Sequence, residues 1–167
     1  MNRDTYNILR DYHLIFPRKP KGQTVLDLTC RNGYFCIKAA QAGAALVLGL
    51  DRDQENIAIA RNHASINQLP NVFFEVGDAE TFQSLESYDV VLCLDVPRGK
   101  HTILRTTALL KKIAELARKR IVFSVDKHAF DLLAWDFGDL WPECRIEVQP
   151  FGPDCNLIAV DKPTEKS

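Results

Sequence analysis

The stretch Val25-Leu-Asp-Leu-Thr-Cys-Arg-Asn-Gly-Tyr34 decides the fold of this chain. A short apolar run, residues 25–28, passes into a tight polar loop that ends at Gly33, and the residues after it suit a helix. A buried strand followed by a glycine loop and a helix is the opening unit of a βαβ arrangement. The backbone N–H groups of such a loop, together with the dipole of the next helix, favour an anionic or carboxylate-bearing group.

The same alternation of strand and helix continues along the chain. Near-continuous apolar runs indicate strands buried on both faces, as in a parallel sheet covered by helices. Further strands are predicted at 45–50, 71–76, 88–94 and 120–125, and helices at 34–42, 53–67, 102–118 and 128–137. The basic residues at 111–112 and 118–120 are interpreted as a solvated face.

The last part of the chain breaks this alternation. Two apolar runs, 144–148 and 156–160, flank a Gly-Pro-Asp turn that leaves no room for a helix, so these strands must be antiparallel. The sequence therefore predicts an α/β fold with a doubly wound, Rossmann-like sheet of five parallel strands plus a C-terminal antiparallel hairpin. Residues 1–20 are predicted as an N-terminal helix and linker, 21–163 as one domain and 164–167 as a tail.

Composition limits the class of protein. The chain has 167 residues, 46% of them apolar and 26% charged, with a formal net charge of −1. These values are typical of one globular domain and exclude a largely disordered or disulfide-dense chain. Five cysteines without a Cys-x-x-Cys pair argue against a zinc site and indicate reduced thiols. With no signal-peptide core and apolar runs of only about six residues, a soluble cytoplasmic protein without a membrane span is expected.

Four aspartates stand directly after successive predicted strands: Asp27, Asp51, Asp78 and Asp95. Ligands of such sheets bind outside the carboxyl ends of the strands, where these side chains would meet. An acidic residue at position 51 suits two hydrogen bonds from a ribose diol. Each aspartate alone could be a helix N-cap or a turn residue, but four in register favour a shared site.

Residues 24 to about 95 resemble the class I S-adenosylmethionine-dependent methyltransferase superfamily, whose first motif is apolar-Asp-apolar-Gly-Cys-Gly-x-Gly-aromatic. The resemblance implies S-adenosylmethionine as cofactor and a role for each matching residue. Asp51 would bind the ribose, and Leu94 and Asp95 would line the methionine side of the pocket. The adenine would be bound by Arg52, Asp78 and the Ala79 N–H. The methionine end would be held by Asp27 and by the loop residues Thr29, Cys30, Arg31 and Gly33.

Two residues depart from the family motif, because Thr29 and Arg31 replace its first two glycines. We expect Gly33 to supply the flexible turn and Arg31 to sit at an ordinary φ, with its guanidinium free to face solvent or a cofactor carboxylate. If position 31 instead requires a positive φ, the loop would be strained and the site degenerate.

The acceptor side is less defined. Asp95, Arg98 and His128 follow strands four and five and are the predicted substrate residues. The basic residues there would form a small cationic patch for a phosphate, a carboxylate or an RNA backbone, with solvated loop charges as the alternative: Arg98, Lys100, His101, Lys127 and His128. A general base among His101, His128 and Asp95 stays open, so no catalytic residue is assigned. The segment after strand four lacks the Asn/Asp-Pro-Pro-aromatic signature associated with methylating base amino groups.

The expected function is in-line methyl transfer to an unidentified small molecule or RNA. The alternative is a non-catalytic methyltransferase-like module that binds a partner protein. An NAD-binding Rossmann protein is disfavoured, because residues 29–34 supply one glycine where its Gly-x-Gly-x-x-Gly fingerprint needs three.

Overall fold

A computed structural model describes residues 12–94, 102–126, 141–150 and 155–163. Within these ranges the chain forms seven strands and three helices, preceded by a helical turn at 12–15. The strands are β1 (Thr24–Asp27), β2 (Leu46–Asp51), β3 (Val72–Val76), β4 (Tyr88–Cys93), β5 (Ala117–Asp126), β6 (Arg145–Pro150) and β7 (Cys155–Asp161). The helices are α1 (Tyr34–Gln41), α2 (Gln54–Ile66) and α3 (Thr102–Leu116).

The strands form one sheet in the order β3-β2-β1-β4-β5-β7-β6. Strands β1 to β5 are parallel, and β7 lies antiparallel between β5 and β6. The predicted fold class is therefore confirmed. The strand order reverses between β1 and β4, and this switch point opens a crevice at the carboxyl ends of the strands.

Two apolar layers cover the two faces of the sheet. Along β1, Val25 packs into the layer that includes α1, α2 and residues 14–16, whereas Leu26 packs into the layer that includes α3 and Trp141. Both side chains are fully buried. This double burial explains why the parallel strands are apolar without a polar alternation.

The predicted boundaries agree with the structure to within one or two residues except at β5, which begins at Ala117 rather than Arg120 because α3 leads into it without a loop. The helix predicted at 128–137 lies outside the described residues. The interpretation of 118–120 as a solvated face was wrong for Arg120, which is only 6% exposed. Its guanidinium binds the Asp161 carboxylate and donates to the Leu14 carbonyl oxygen, because Arg120 pairs with Asp161 in the β5–β7 register.

Candidate functional site

A cavity of about 230 Å³ opens at the carboxyl edge of the sheet, beside the switch point. It is bounded by residues that directly follow or end β1, β2 and β4, by the loop after β3, and by one side chain of α3. The lining residues are Leu28, Thr29, Asp51, Arg52, Ala79, Glu80, Cys93 and Leu109. Four of the predicted cofactor residues, Thr29, Asp51, Arg52 and Ala79, are thus brought together in one pocket.

Gly33 closes the loop after β1 and is the N-cap of α1, with a φ of 78°. Its N–H donates to the Cys30 carbonyl oxygen at 2.9 Å, and the Cys30 N–H in turn donates to the Leu50 carbonyl oxygen at 2.8 Å. A Cβ at position 33 would lie 2.7 Å from Phe74 Cζ and 2.8 Å from the Ala60 Cβ. A glycine is therefore required here both by the left-handed backbone and by the close packing of α1 on its neighbours.

Arg31 adopts a φ of 51°, so the expectation of an ordinary φ at this position was wrong. The physical reason is a hydrogen bond, because this conformation aims the Arg31 N–H at Asp51 Oδ2, 2.8 Å away. The residue is exposed and does not line the pocket. The strain of a left-handed arginine, about 1–2 kcal/mol, is offset by a charge-assisted bond to the loop's neighbouring strand.

The carboxylate of Asp51 is held by three donors of the chain itself. Oδ2 accepts the Arg31 N–H, while Oδ1 accepts the Asp53 N–H at 2.9 Å and the Asn56 side-chain amide at 3.3 Å. Asp53 in turn caps α2 by accepting the Glu55 N–H at 2.8 Å. The end of β2, the loop after β1 and the start of α2 are thereby joined at one side chain. Sequence reasoning did not find Asn56, although its position in the first turns of α2 places it near the end of β2.

Arg52 and Asp78 form an ion pair with a distance of 2.9 Å from Nη2 to Oδ1, and Glu80 lies 3.7 Å from the same guanidinium. The same Oδ1 also accepts the Glu80 N–H at 2.8 Å. These hydrogen bonds and the Arg52 charge hold the pKa of Asp78 below its ordinary value, although desolvation opposes them. The two side chains predicted to contact adenine, those of Arg52 and Asp78, therefore bind each other in this structure.

Asp27 is only 1% exposed and lies beneath the loop rather than in the pocket lining. Its Oδ1 accepts the Thr29 N–H at 3.2 Å, and the Cys36 thiol is 3.7 Å from Oδ2. Burial raises the pKa of Asp27 to about 7, with a further rise from the charge of Asp51, while the two hydrogen bonds act in the opposite direction. The carboxyl group thus supports the loop from inside the protein.

Leu94, at the exit of β4, is bound by hydroxyl groups on both sides of its backbone. Its N–H donates to Thr29 Oγ1 at 2.8 Å, and its carbonyl oxygen accepts the Ser124 hydroxyl at 2.7 Å. Thr29, which stands where the family motif has a glycine, thereby fixes the start of the segment that carries the predicted substrate residues. We call this arrangement the Leu94 clamp. Ser124 was not found from the sequence, because an isolated serine in a buried strand carries no pattern.

The remaining predicted site residues fall in two groups, Cys30 and the residues of the acceptor side. Cys30 is buried beneath the loop, and its thiol lies 3.6 Å from the Arg31 carbonyl oxygen. The predicted substrate residues Asp95, Arg98 and His128, and the candidate base His101, lie outside the described residues. The pocket residues that the sequence did not single out are Leu28, Glu80, Cys93 and Leu109; of these, Glu80 could have been found from its position two residues after Asp78.

The family described as a methyltransferase domain matches residues 19–145. The chain belongs to this methyltransferase-domain family. The match includes every strand of the pocket and confirms the family resemblance and the class of enzyme predicted from the sequence. Among the described residues of this methyltransferase domain, no helix is long and apolar enough to cross a membrane.

Curated relatives of the chain are named methyltransferases, and a solved structure shares its fold. A ubiquinone biosynthesis O-methyltransferase from Neisseria meningitidis is 33% identical over 78 residues, which cover 46% of this chain and 33% of the relative. A mouse tRNA (uracil-5-)-methyltransferase homolog A is 32% identical over 148 residues, 84% of this chain and 23% of the relative. The chain thus spans about a third or less of these relatives' lengths. The structure of magnesium protoporphyrin IX methyltransferase from Synechocystis, with bound S-adenosylmethionine, aligns with a TM-score of 0.71 at 21% identity, covering 96% of this chain and 79% of that chain.

Proposed function

We propose that residues 21–163 form an S-adenosylmethionine-dependent methyltransferase domain that holds its cofactor in the pocket at the carboxyl edge of the sheet. One observation carries this proposal: the carboxylate of Asp51 is oriented at the wall of a cavity at the sheet's switch point. Dinucleotide and nucleoside ligands of such sheets bind at this place, with an acidic residue on the ribose. The family match and the cofactor-bound structural neighbour support the same assignment.

The chemistry of the lining fits the cofactor. Leu28, Ala79 and Leu109 give apolar walls suited to an adenine ring, and Asp51 gives an acceptor for ribose hydroxyls. The cavity is smaller than the roughly 300–1,000 Å³ usual for ligand pockets. The cavity can widen at Arg52, because the ion pair between Arg52 and Asp78 can break. The Arg52 side chain is 57% exposed, and exposed ion pairs contribute only about 1 kcal/mol or less.

The domain would act chiefly by positioning. The cofactor, when bound, supplies an electrophilic methyl group on a sulfonium centre. Asp51 binds and orients the ribose, and the loop after β1, which ends at Gly33, supports the methionine end. The Leu94 clamp fixes the segment from which the acceptor is presented. Correct in-line alignment of two reactants can lower a barrier by about 7–11 kcal/mol, so transfer to a good nucleophile needs little acid–base help.

The acceptor is an oxygen, nitrogen or carbon atom of a small molecule or of RNA, presented near Asp95, Arg98 and His128. The names of the relatives include both classes, an O-methyltransferase of ubiquinone biosynthesis and a tRNA (uracil-5-)-methyltransferase. Transfer of a labelled methyl group to unfractionated tRNA, compared with transfer to catechol, distinguishes an RNA acceptor from a small hydroxylated one.

Titration calorimetry with S-adenosylmethionine, S-adenosylhomocysteine and NAD tests the proposal. Both sulfur ligands should bind, and Asp51→Ala should weaken them by about 1.5–3 kcal/mol because it removes a charged acceptor. Glu55→Ala is the matched control, since Glu55 is an exposed acid in the first turn of α2 that does not line the pocket. Binding of NAD alone would reject the proposal.

A second function, binding of a partner protein without catalysis, is favoured by one observation, the left-handed Arg31 in place of a motif glycine. It predicts tight cofactor binding with no methyl transfer to any acceptor, and tighter binding after Arg31→Gly. Transfer of label to any acceptor by the wild-type chain would exclude it.

We also propose a cytoplasmic location. The thiols of Cys30, Cys36 and Cys155 are free and buried, which suits a reducing compartment. Fractionation of cells that express the chain, followed by immunoblotting, tests this location.

A further inference from the structure

Another cavity, of about 240 Å³, lies between α1 and α2 on the side of the molecule that these helices cover. It extends from Asn32, in the loop after β1, to Gln41 and Asn67, where the two helices end. The buried residue Ile37 also lines it. We call this cavity the helical groove. Because the loop after β1 also borders the pocket at the carboxyl edge of the sheet, the groove and the pocket share this loop.

The side chains along the helical groove combine an aromatic ring, a cation and amide groups. The Lys38 ammonium lies 5.9 Å from the centroid of the Tyr34 ring. The side-chain amide of Gln41 donates to Asn67 Oδ1 at 3.0 Å, so amides from both helices meet in the groove. Groups of these kinds bind single-stranded RNA, because bases stack on aromatic rings, amides contact base edges and cations contact phosphates.

The segments that form this side of the molecule contain no carboxylate side chain. Residues 28–50 and 56–74 include all of α1 and most of α2, and neither segment has an aspartate or a glutamate, although the chain has 22 acidic residues. The basic residues of the two segments are Arg31, Lys38, Arg61 and His63. A polyanion in the groove therefore meets cations and no like charge from either segment, although the whole chain has a formal net charge of −1.

We propose that the helical groove binds the nucleotides of a single-stranded RNA that adjoin the nucleotide to be methylated. The Tyr34 ring stacks on a base, the Lys38 ammonium contacts a phosphate, and the RNA continues over the loop after β1 into the pocket. The strand is single because a base can stack on Tyr34 only when it has left a duplex. The proposal rests on the proposed function and deepens it, since it selects RNA from the two acceptor classes.

Fluorescence anisotropy at fixed ionic strength tests the proposal, with a labelled single-stranded RNA of about 12 nucleotides and the same RNA annealed to its complement. The single strand should bind at least about fivefold more tightly than the duplex. Tyr34→Leu should weaken binding of the single strand about tenfold, whereas Tyr34→Phe, which keeps the ring, should stay within about twofold of the wild type. Equal binding of both RNAs, or of neither, would overturn the proposal.

A pair of charge reversals locates the RNA on the surface. Lys38→Glu should weaken RNA binding about tenfold or more, because it places a carboxylate in the groove. Lys111→Glu is the matched control, since Lys111 is exposed on α3, which covers the other face of the sheet, and it should change binding by less than about twofold. Equal losses in the two variants would mean that the RNA binds through the overall charge, and would overturn the proposal.

Two further measurements separate the possible failures. A glutamate-rich peptide that displaced the RNA at equal charge concentration would show that the groove accepts an acidic protein segment, and would overturn the proposal. Calorimetry with S-adenosylhomocysteine reports on the proposed function alone, because neither Lys38 nor Tyr34 lines the pocket. Loss of RNA binding with this ligand still bound would reject the groove only, whereas failure of the ligand to bind the wild type would reject the proposed function.

Discussion

The backbone N–H of Arg31 donates to Oδ2 of Asp51 across 2.8 Å, and it reaches that oxygen because Arg31 has a left-handed backbone. The bond joins the loop after β1 to the end of β2. Arg31, which stands where the family motif has a glycine, is therefore tolerated because its main chain makes this bond. Its guanidinium stays at the surface.

Replacement of Arg31 by glycine should preserve this bond and relieve the strain. Glycine adopts a positive φ at no steric cost, so Arg31→Gly should raise the free energy of unfolding by up to about 1 kcal/mol. Urea denaturation measures the change. Arg18→Gly, at an exposed position of the linker, is the control and should give no gain. A clear loss of stability in Arg31→Gly would mean that the guanidinium itself supports the loop.

Addition of a methyl group at Gly33 should be far more harmful than at Gly22, although both have a positive φ. The Gly22 site has no atom within 4 Å of the added carbon, so Gly22→Ala should cost about 1 kcal/mol of backbone strain alone. Gly33→Ala adds a clash with Phe74 and should cost a further 1–3 kcal/mol, roughly the penalty of overpacking.

The clash at Gly33 can be checked with a double mutant. Phe74→Leu removes the ring that the new carbon meets, so its cost should be smaller in the Gly33→Ala background than in the wild type. Additive costs in thermal or urea unfolding would contradict a direct clash between the two positions.

Asp27 should make the protein less stable as pH rises. Its pKa in the folded protein is about 7, above the ordinary value of 3.8, so between these values the folded state holds a proton that the unfolded state has lost. The free energy of unfolding should therefore fall from about pH 4 to pH 7, by up to about 4 kcal/mol. Asp27→Asn should abolish this decline in urea denaturation between pH 4.5 and 8.

Asp89 provides a control of opposite sign for this pH dependence. Hydrogen bonds from Thr24 and Lys119, and the charges of Lys119 and Arg118, lower the pKa of Asp89 despite its desolvation. The stability that its charge provides is present at neutral pH and is lost as pH falls through the lowered pKa. The free energy of unfolding of the wild type should therefore exceed that of Asp89→Asn by less as pH falls. If the stability of Asp27→Asn and Asp89→Asn, each relative to the wild type, changed with pH in the same direction, the assignment to Asp27 would be refuted.

The Leu94 clamp gives a prediction about Thr29. Thr29→Val keeps the shape but removes the hydroxyl that accepts the Leu94 N–H, and should cost about 1–2 kcal/mol. Thr29→Ser, which keeps the hydroxyl, should retain most of the wild-type stability. Exchange of the Leu94 amide with solvent should quicken in Thr29→Val, while the Leu28 amide, which donates to the Leu92 carbonyl oxygen, stays protected. If the Leu94 amide exchanged at the same rate in Thr29→Val as in the wild type, the clamp would be contradicted.

The sequence was sufficient for the sheet and for four of the pocket residues, Thr29, Asp51, Arg52 and Ala79, because burial on both faces and polar residues after each strand are local patterns. It was insufficient for the conformation of Arg31, which depends on a carboxylate 20 residues away in the chain. The sequence does not predict the Arg52–Asp78 pair or the role of Ser124 for the same reason, since each is a contact between segments that are distant in sequence. Arg120 was assigned to a solvated face because its charge alone indicates exposure, whereas its partners Asp161 and Leu14 lie 41 and 106 residues away in the chain.

The buried guanidinium of Arg120 also brings together the two extremities of the described chain. It binds Leu14 near the beginning and Asp161 near the end, at the edge of the sheet opposite the pocket. A short flexible peptide that connected these extremities would close a small loop at little entropic cost. The domain is thus suited to circular permutation, with new ends opened in the exposed loop at 83–87. Such a permutant would keep the pocket at the carboxyl edge of the sheet intact while reversing the order in which the two halves of the domain are synthesised.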